Sequence, residues 1–308
     1  MNQRVAVIDL GTNTFHLLIA EGTAEDYREL VHEQVPVKLG EGGINDGIIQ
    51  AAAFERGLQT MEQFRRLIDQ HGVTTVKAIG TSALRSAANG KAFMDAVKAK
   101  TGLTIETIDG DAEAEYIYKG IKVAGCLSES DSLVVDIGGG SIEFIICNQD
   151  RIRWKRSFEA GAARLMDRFH HRDPIAPESI TALTLYLEDT LAPLFAAAAN
   201  YKIEKLVGSS GVFETYAALI ESDKGKSFDL KKTKNYVLDK DELLAAIEKL
   251  VLSTHQERLG NELIIPVRVD MIVTASILTR FVMEKLGINE SIMTTNSLKE
   301  GVLAEMMA

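Results

Sequence analysis

The sequence predicts an α/β protein built from two similar domains that face one cleft. A glycine-containing hairpin text occurs twice, as VAVIDLGTNTFHLLIA over residues 5–20 and LVVDIGGGSIEFIIC over residues 133–147. Each copy opens one half of the chain, and strand-like and helix-like patterns alternate after it. The chain has 308 residues, 46% of them hydrophobic, which is enough for two cores. An internal repeat of this kind places a similar loop in each half, pointing into shared space.

In the second copy a β-branched run enters Asp136, three glycines follow, and an apolar run leaves from Ile142. That is the pattern of strand, tight turn, strand. Gly138, Gly139 and Gly140 permit positive φ and close backbone approach, so successive N–H groups can line a concavity suited to phosphate oxygens. Asp136 beside it suits a hard cation that the phosphate also touches. Taken alone, the stretch reads equally as an ordinary hairpin, and the first copy tips the balance. Laying Asp9 on Asp136 puts Gly11 on Gly138, Thr14 on Ser141 and His16 on Glu143. Gly11, Thr12, Asn13 and Thr14 then form one phosphate loop, and Gly138, Gly139, Gly140 and Ser141 the other.

The remaining pattern fills in each half. Residues 27–47 read as a third strand and a glycine-rich loop, with Lys38 either near phosphate or on the surface. Residues 48–70 have helical spacing and stop at Gly72. A strand at 75–79, a TSALR loop, a helix at 91–100 and a strand at 103–108 follow. Gly110-Asp111 caps a helix over 112–123, and 127–132 links the halves. Beyond the second hairpin come a strand at 151–158, a helix at 161–169, and a long alanine-rich helix over 177–200 that Pro193 kinks. A strand at 206–211 turns into a helix from Val212. Residues 222–240 read as an exposed loop with room for an edge strand, 241–256 and 270–286 as helices, 292–295 as a strand, and 297–307 as a last helix. The division expected is 1–125 and 126–308, with 297–308 placed to pack back on the first domain.

Composition narrows the function. Net charge is −10, from 34 basic and 44 acidic residues, which argues against broad nucleic-acid or anionic-membrane binding. No apolar run approaches the roughly 20 residues of a membrane span. Cys126 and Cys147 are the only cysteines and lack metal spacing, so a reduced, cytoplasmic protein is expected. A homodimer is left open. From spacing alone, Glu113 in GDAEAEYIYKG reads as a helix-dipole residue behind an Asp111 cap, or as a carboxylate projecting into the cleft. Arg85 reads as a fork for phosphate oxygens or as an ion-pair residue near the next helix.

The duplicated Asp-x-Gly hairpin resembles the actin/hexokinase/heat-shock-chaperone superfamily, whose fold is a pair of actin-like, ribonuclease H-like domains. DLGTNTFHLL with DIGGGSIEF is similar to the exopolyphosphatase/guanosine pentaphosphate phosphatase family in its short two-domain form. TSALR at 81–85, GAARL at 161–165, LVGSSG at 206–211 and RVD at 268–270 match that family in the expected order. The resemblance implies hydrolysis of terminal phosphoanhydride bonds with Mg²⁺. The favoured substrate is inorganic polyphosphate, and guanosine pentaphosphate is the alternative. An ATP-dependent kinase of the superfamily and a non-catalytic polyphosphate or nucleotide sensor are the readings from other classes.

Residue by residue, the resemblance makes Glu113, before Ala114 and after Gly110, the water-activating base. It makes Asp9, Asp136 and Glu143 the metal carboxylates. The family often carries a phosphate-binding arginine where this chain has His16, which could still donate a hydrogen bond when protonated. Arg164 and Arg268 are expected to be structural.

Overall fold

The computed structural model describes residues 3–23 and 26–308. β1 (Gln3–Leu10), β2 (Phe15–Gly22) and β3 (Tyr27–Val35) form an antiparallel meander. After α1 (Ala51–Gln70), β4 (Thr75–Gly80) returns parallel to β1. α2 (Ser82–Ser86) and α3 (Gly90–Thr101) lead to β5 (Ile105–Thr107), so the sheet runs β3-β2-β1-β4-β5. α4 (Gly110–Val123) leaves this half.

The second half repeats the scheme. β6 (Ser132–Ile137), β7 (Ile142–Cys147) and β8 (Ile152–Phe158) are its meander. α5 (Ala162–Phe169), α6 (Pro177–Thr190) and α7 (Ala192–Ala198) precede β9 (Lys205–Ser209), which lies parallel to β6. α8 (Gly211–Asp223), β10 (Asn235–Leu238), α9 (Lys240–Leu252), α10 (His255–Leu259) and α11 (Ile272–Leu286) lead to β11 (Glu290–Thr294) and α12 (Leu298–Met307). The order β8-β7-β6-β9-β11 matches the first sheet strand for strand, with β10 added at the edge. This is the duplicated actin-like α/β architecture that the hairpin repeat predicts.

Alternate residues of β1 enter different cores. Ala6, Ile8 and Leu10 pack with Phe64 and Phe93 under α1 and α3, whereas Val5 and Val7 face the middle of the molecule. There they meet Val134 and Ile145 of the second sheet, with Ile117, Ile121, Val302 and Leu303 between them. Strands buried on both faces explain the near-continuous apolar runs, where a half-exposed sheet would alternate.

The helices in that middle layer are exchanged. α4, from the first half, packs on β7 and β8 of the second, while α12 packs on β1 and β2 of the first. The two helices cross in backbone contact: a Cβ at Gly301 would overlap the Tyr116 carbonyl, and one at Gly120 the Ser297 carbonyl. Gly is required here for close approach rather than for its dihedral freedom.

Several expected boundaries move. The helix over 177–200 is broken, not kinked, because Leu191 leaves helical geometry and Pro193 starts a new helix. The helix over 241–256 ends at Leu252, and Thr254 with Glu257 forms a capping box that starts α10. TSALR is a helical turn rather than a loop. Asp109, not Asp111, caps α4: its side chain accepts from the Ala112 amide at 2.8 Å. Among the described residues, no helix is long and apolar enough to cross a membrane.

Because Gly301 sits against backbone that cannot yield, Gly301→Ala should lower unfolding free energy by about 1–3 kcal/mol, the usual cost of overpacking. Urea denaturation checks this; an unchanged midpoint would show that the helices separate freely.

Candidate active site

The two hairpin loops have the same internal geometry. The Gly11 amide donates to the Thr14 carbonyl at 3.1 Å, and the Gly138 amide to the Ser141 carbonyl at 3.0 Å. None of Gly11, Gly138, Gly139 and Gly140 has a positive φ, so of the two reasons expected for Gly138, Gly139 and Gly140 only close backbone approach applies. A Cβ at Gly11 or Gly138 would crowd the Thr14 or Ser141 carbonyl of its own loop, whereas Gly139 and Gly140 are glycines because the loops press together. A Cβ at Gly139 would strike the Asn13 amide, and one at Gly140 the hydroxyls of Thr12 and Ser82.

Each loop is braced from behind through its carbonyls. The Lys38 and Gly40 amides donate to the carbonyls of Asn13 (2.7 Å) and Thr12 (3.0 Å). At the start of α5, the Ala162 and Ala163 amides donate to the carbonyls of Gly138 and Gly139, both at 2.9 Å. Among the described residues, the amides of Thr12, Asn13, Gly139 and Gly140 donate to no protein group. A pair of loops with tethered carbonyls and free N–H groups has the backbone form suited to receive an anion. Lys38 serves it by backbone, at φ 49°, and its side chain does not line the cleft.

The cleft between the loops has a volume of about 730 Å³ and is lined by all eight loop residues together with Asp9, Glu113, Asp136 and Glu143. Asp136 and Glu143 face each other across the β6–β7 ladder, as Asp9 and His16 do across β1–β2. Ser209 donates to Asp136 Oδ2 at 2.8 Å, and Ser157 to Glu143 Oε1 at 2.7 Å. Glu113, in the first turn of α4, accepts from Arg85 Nη1 at 3.0 Å on Oε2.

Burial governs the protonation of these groups. It pushes Asp9 up to about 7 and Asp136 up to about 6. Burial raises Glu113 to about 8, with Arg85 opposing and Asp9 and Asp136 adding. Glu143 is held well above the carboxylate range by burial and then by Glu113 and Asp136. Neighbouring carboxylates cannot all ionise in a low-dielectric site, and the one beside a guanidinium ionises more readily than a neighbour without one. That distinguishes Glu113 from Glu143 as a proton acceptor.

Asp9, Asp136 and Glu143 do not form a ready-made three-carboxylate metal site. No group of three His, Cys, Asp or Glu side chains close enough to share an ion exists among the described residues. The donor set still fits a hard cation, since Mg²⁺ is ordinarily held by one or two carboxylates plus substrate phosphate and water. Buried acidic oxygens held well above their ordinary range are also the environment such a cation would relieve.

Other expected roles change. Arg85 does not line the cleft; it lies behind Glu113, shared between that carboxylate and Glu159. His16 lines the cleft but is not a cation, since burial and then Lys299 push its pKa well below the ordinary histidine value. Among the described residues, its buried Nδ1 has no hydrogen-bond partner. Arg268, expected to be structural, lines the cleft, where it donates to Glu214 at 2.8 Å and to Thr215 at 3.2 Å. Arg164 is structural as expected, donating to Gly140 and Ile44 carbonyls of opposite halves.

Sequence reasoning missed Lys299. It is buried in the cleft beside Glu300, at 3.1 Å, and belongs to the exchanged helix α12. In linear sequence it reads as a solvated helix residue, and no local signal marks it.

The chain is similar to known proteins over nearly its whole length. Residues 18–308 match the Ppx/GppA phosphatase family. The crystal structure of an exopolyphosphatase from Cytophaga hutchinsonii superposes with a TM-score of 0.96 at 41% identity, covering 99% of this chain and 98% of that one. A putative exopolyphosphatase of Haemophilus influenzae is 26% identical over 98% of this chain and 90% of its own length. A guanosine-5'-triphosphate,3'-diphosphate pyrophosphatase of Photobacterium profundum is 28% identical over 98% of this chain, which spans 59% of that relative. With this match over nearly its whole length, the chain belongs to the Ppx/GppA phosphatase family.

Proposed function

We propose that this chain is an exopolyphosphatase that releases orthophosphate from the end of inorganic polyphosphate. The observation that carries the reading is the pair of opposed loops with free amides, set over a buried glutamate that a guanidinium favours in its ionised form. The terminal phosphoryl group sits between the loops, where the N–H groups of Thr12, Asn13, Gly139 and Gly140 face its oxygens. A water held by Glu113 attacks the terminal phosphorus as its proton passes to the carboxylate. The bridging oxygen leaves with the shortened chain, and Glu113 then returns its proton to solvent. One or two of Asp9, Asp136 and Glu143 would hold Mg²⁺, which would supply charge neutralisation. Lys299, Arg268, Lys231 and Lys234 line the same cleft and suit a polyanion in an otherwise acidic protein.

Guanosine pentaphosphate is the second reading, favoured by the Photobacterium profundum relative and presenting the same terminal group. Side-by-side steady-state kinetics with Mg²⁺ on both substrates should give the higher kcat/KM for polyphosphate. A preference for the nucleotide would reverse the assignment, and phosphate release without an acceptor separates either from a kinase. The units 1–125 and 126–308 would close on substrate about the α4–α12 crossing, excluding bulk water.

Glu113→Gln should lower kcat by about 10²–10⁴ with polyphosphate binding retained, because the amide keeps its size but cannot take the proton. A merely helix-stabilising Glu113 would instead leave kcat within about threefold of wild type, well short of the loss of a base, and lower only the melting temperature. Since burial raises Glu113 to about 8, its ionised fraction grows with pH, so kcat/KM should rise between pH 6 and pH 8. A flat profile over that range would count against the base. Exhaustive chelation should abolish turnover and added Mg²⁺ restore it; full activity in demonstrably metal-free protein would remove the cation from the mechanism.

A further inference from the structure

Glu113 stands at one end of a chain of ion pairs that crosses between the two halves. Arg85, on α2, donates through Nη1 to Glu113 Oε2 and to the Ile108 carbonyl, both at 3.0 Å. Its other arm, Nη2, donates to Glu159 Oε1 at 3.0 Å. Glu159 follows β8 in the second half, and its Oε2 accepts from Ser82 of α2 and from Arg164 Nη2 of α5, both at 2.8 Å. Arg164 in turn holds the Gly140 carbonyl at 2.9 Å. One carboxylate thus connects the base, through Arg85, to the second phosphate loop.

The stability gained from such a link is small, because the Glu159 side chain is 48% exposed. Its consequence for Glu113 is geometric. A guanidinium beside a carboxylate closes on both oxygens when its fork is free. Here Glu159 keeps Nη2 turned away, and among the described residues Glu113 Oε1 accepts from no protein group. Oε1 is the oxygen left to take a proton from water.

We propose that Glu159 is a positioning residue for the hydrolytic step: by holding Arg85 Nη2, it prevents bidentate closure on Glu113 and leaves Oε1 available. Because Glu159 and Arg85 belong to opposite halves, the base is correctly disposed only when the halves are together. This rests on the reading of Glu113 as the base.

The test uses Glu159→Gln, which keeps the shape, and Glu159→Ala, each with polyphosphate and Mg²⁺. Both variants should lose about tenfold or more in kcat, in the range that misplacing a reacting group produces. KM should be nearly unchanged and the melting temperature close to wild type. In an Arg85→Lys background, where no fork exists, Glu159→Gln should change kcat by less than about twofold. A kcat within about twofold of wild type in both single variants, a loss confined to KM, or a loss that persists undiminished with Arg85→Lys would each overturn the proposal. Glu113→Gln is run alongside. If it keeps wild-type kcat, the base and its positioning residue fall together; if it is inactive while both Glu159 variants are normal, only the role of Glu159 falls.

Discussion

The backbone contact between α4 and α12 is the constraint on which the rest of the molecule depends. Each helix leaves one half and packs on the sheet of the other, and the pair can approach closely because Gly120 and Gly301 carry no side chain at the crossing. Their first turns therefore arrive in the same cleft from different parts of the chain. α4 brings Glu113 and α12 brings Lys299, a carboxylate and an ammonium that both line it. The exchange also ties the cores together: the middle layer contains β1, β6, α4 and α12, so neither half can bury its inner sheet face without the other.

Within that frame the electrostatics are unfavourable until something arrives. Asp9, Glu113, Asp136 and Glu143 are enclosed together, and burial raises each of them, because a low-dielectric site penalises every ionised carboxylate. A protein at −10 has no general attraction for a polyanion. Binding must come from local features, namely braced loops with free amides, a few buried or rim cations, and the cation that the proposed chemistry brings. This locality suits the proposed recognition of an end group, in which the amides and Glu113 would meet one phosphoryl group, whatever is attached to it.

Arg85 shows how one side chain changes meaning in the folded protein. Its planar fork suits phosphate oxygens, and the same fork suits two carboxylates. In the structure it joins Glu113 to Glu159, and the choice was made by Glu159, which follows a strand in the other half of the chain. No spacing rule could pair residues 85, 113 and 159. Arg258 makes a similar point in the second core, fully buried yet held by the Val269 and Ser253 carbonyls and by Asp173.

By itself, the sequence determined what depends on local pattern. The duplicated Asp-x-Gly text is a strand–turn–strand signal that survives in any context, so the repeat, the paired meanders and the two loops were legible before any coordinates. Asp9 and Asp136 beside those loops were legible for the same reason, whereas Glu143 and Glu113 stood out only through the family resemblance, since spacing alone left Glu113 between a helix-dipole residue and a cleft carboxylate. Only the tertiary structure decided what depends on opposition across the cleft. Gly139 and Gly140 face Asn13, Thr12 and Ser82, which makes close approach, not positive φ, the reason for the glycines. His16 is held below the ordinary histidine range by burial and then by Lys299. Lys299 itself enters the site only because α12 crosses to the first sheet. Hydrogen bonding within a turn is a short-range property written into neighbouring residues. Desolvation and charge pairing depend on which distant segments meet, and that is settled when the two halves pack.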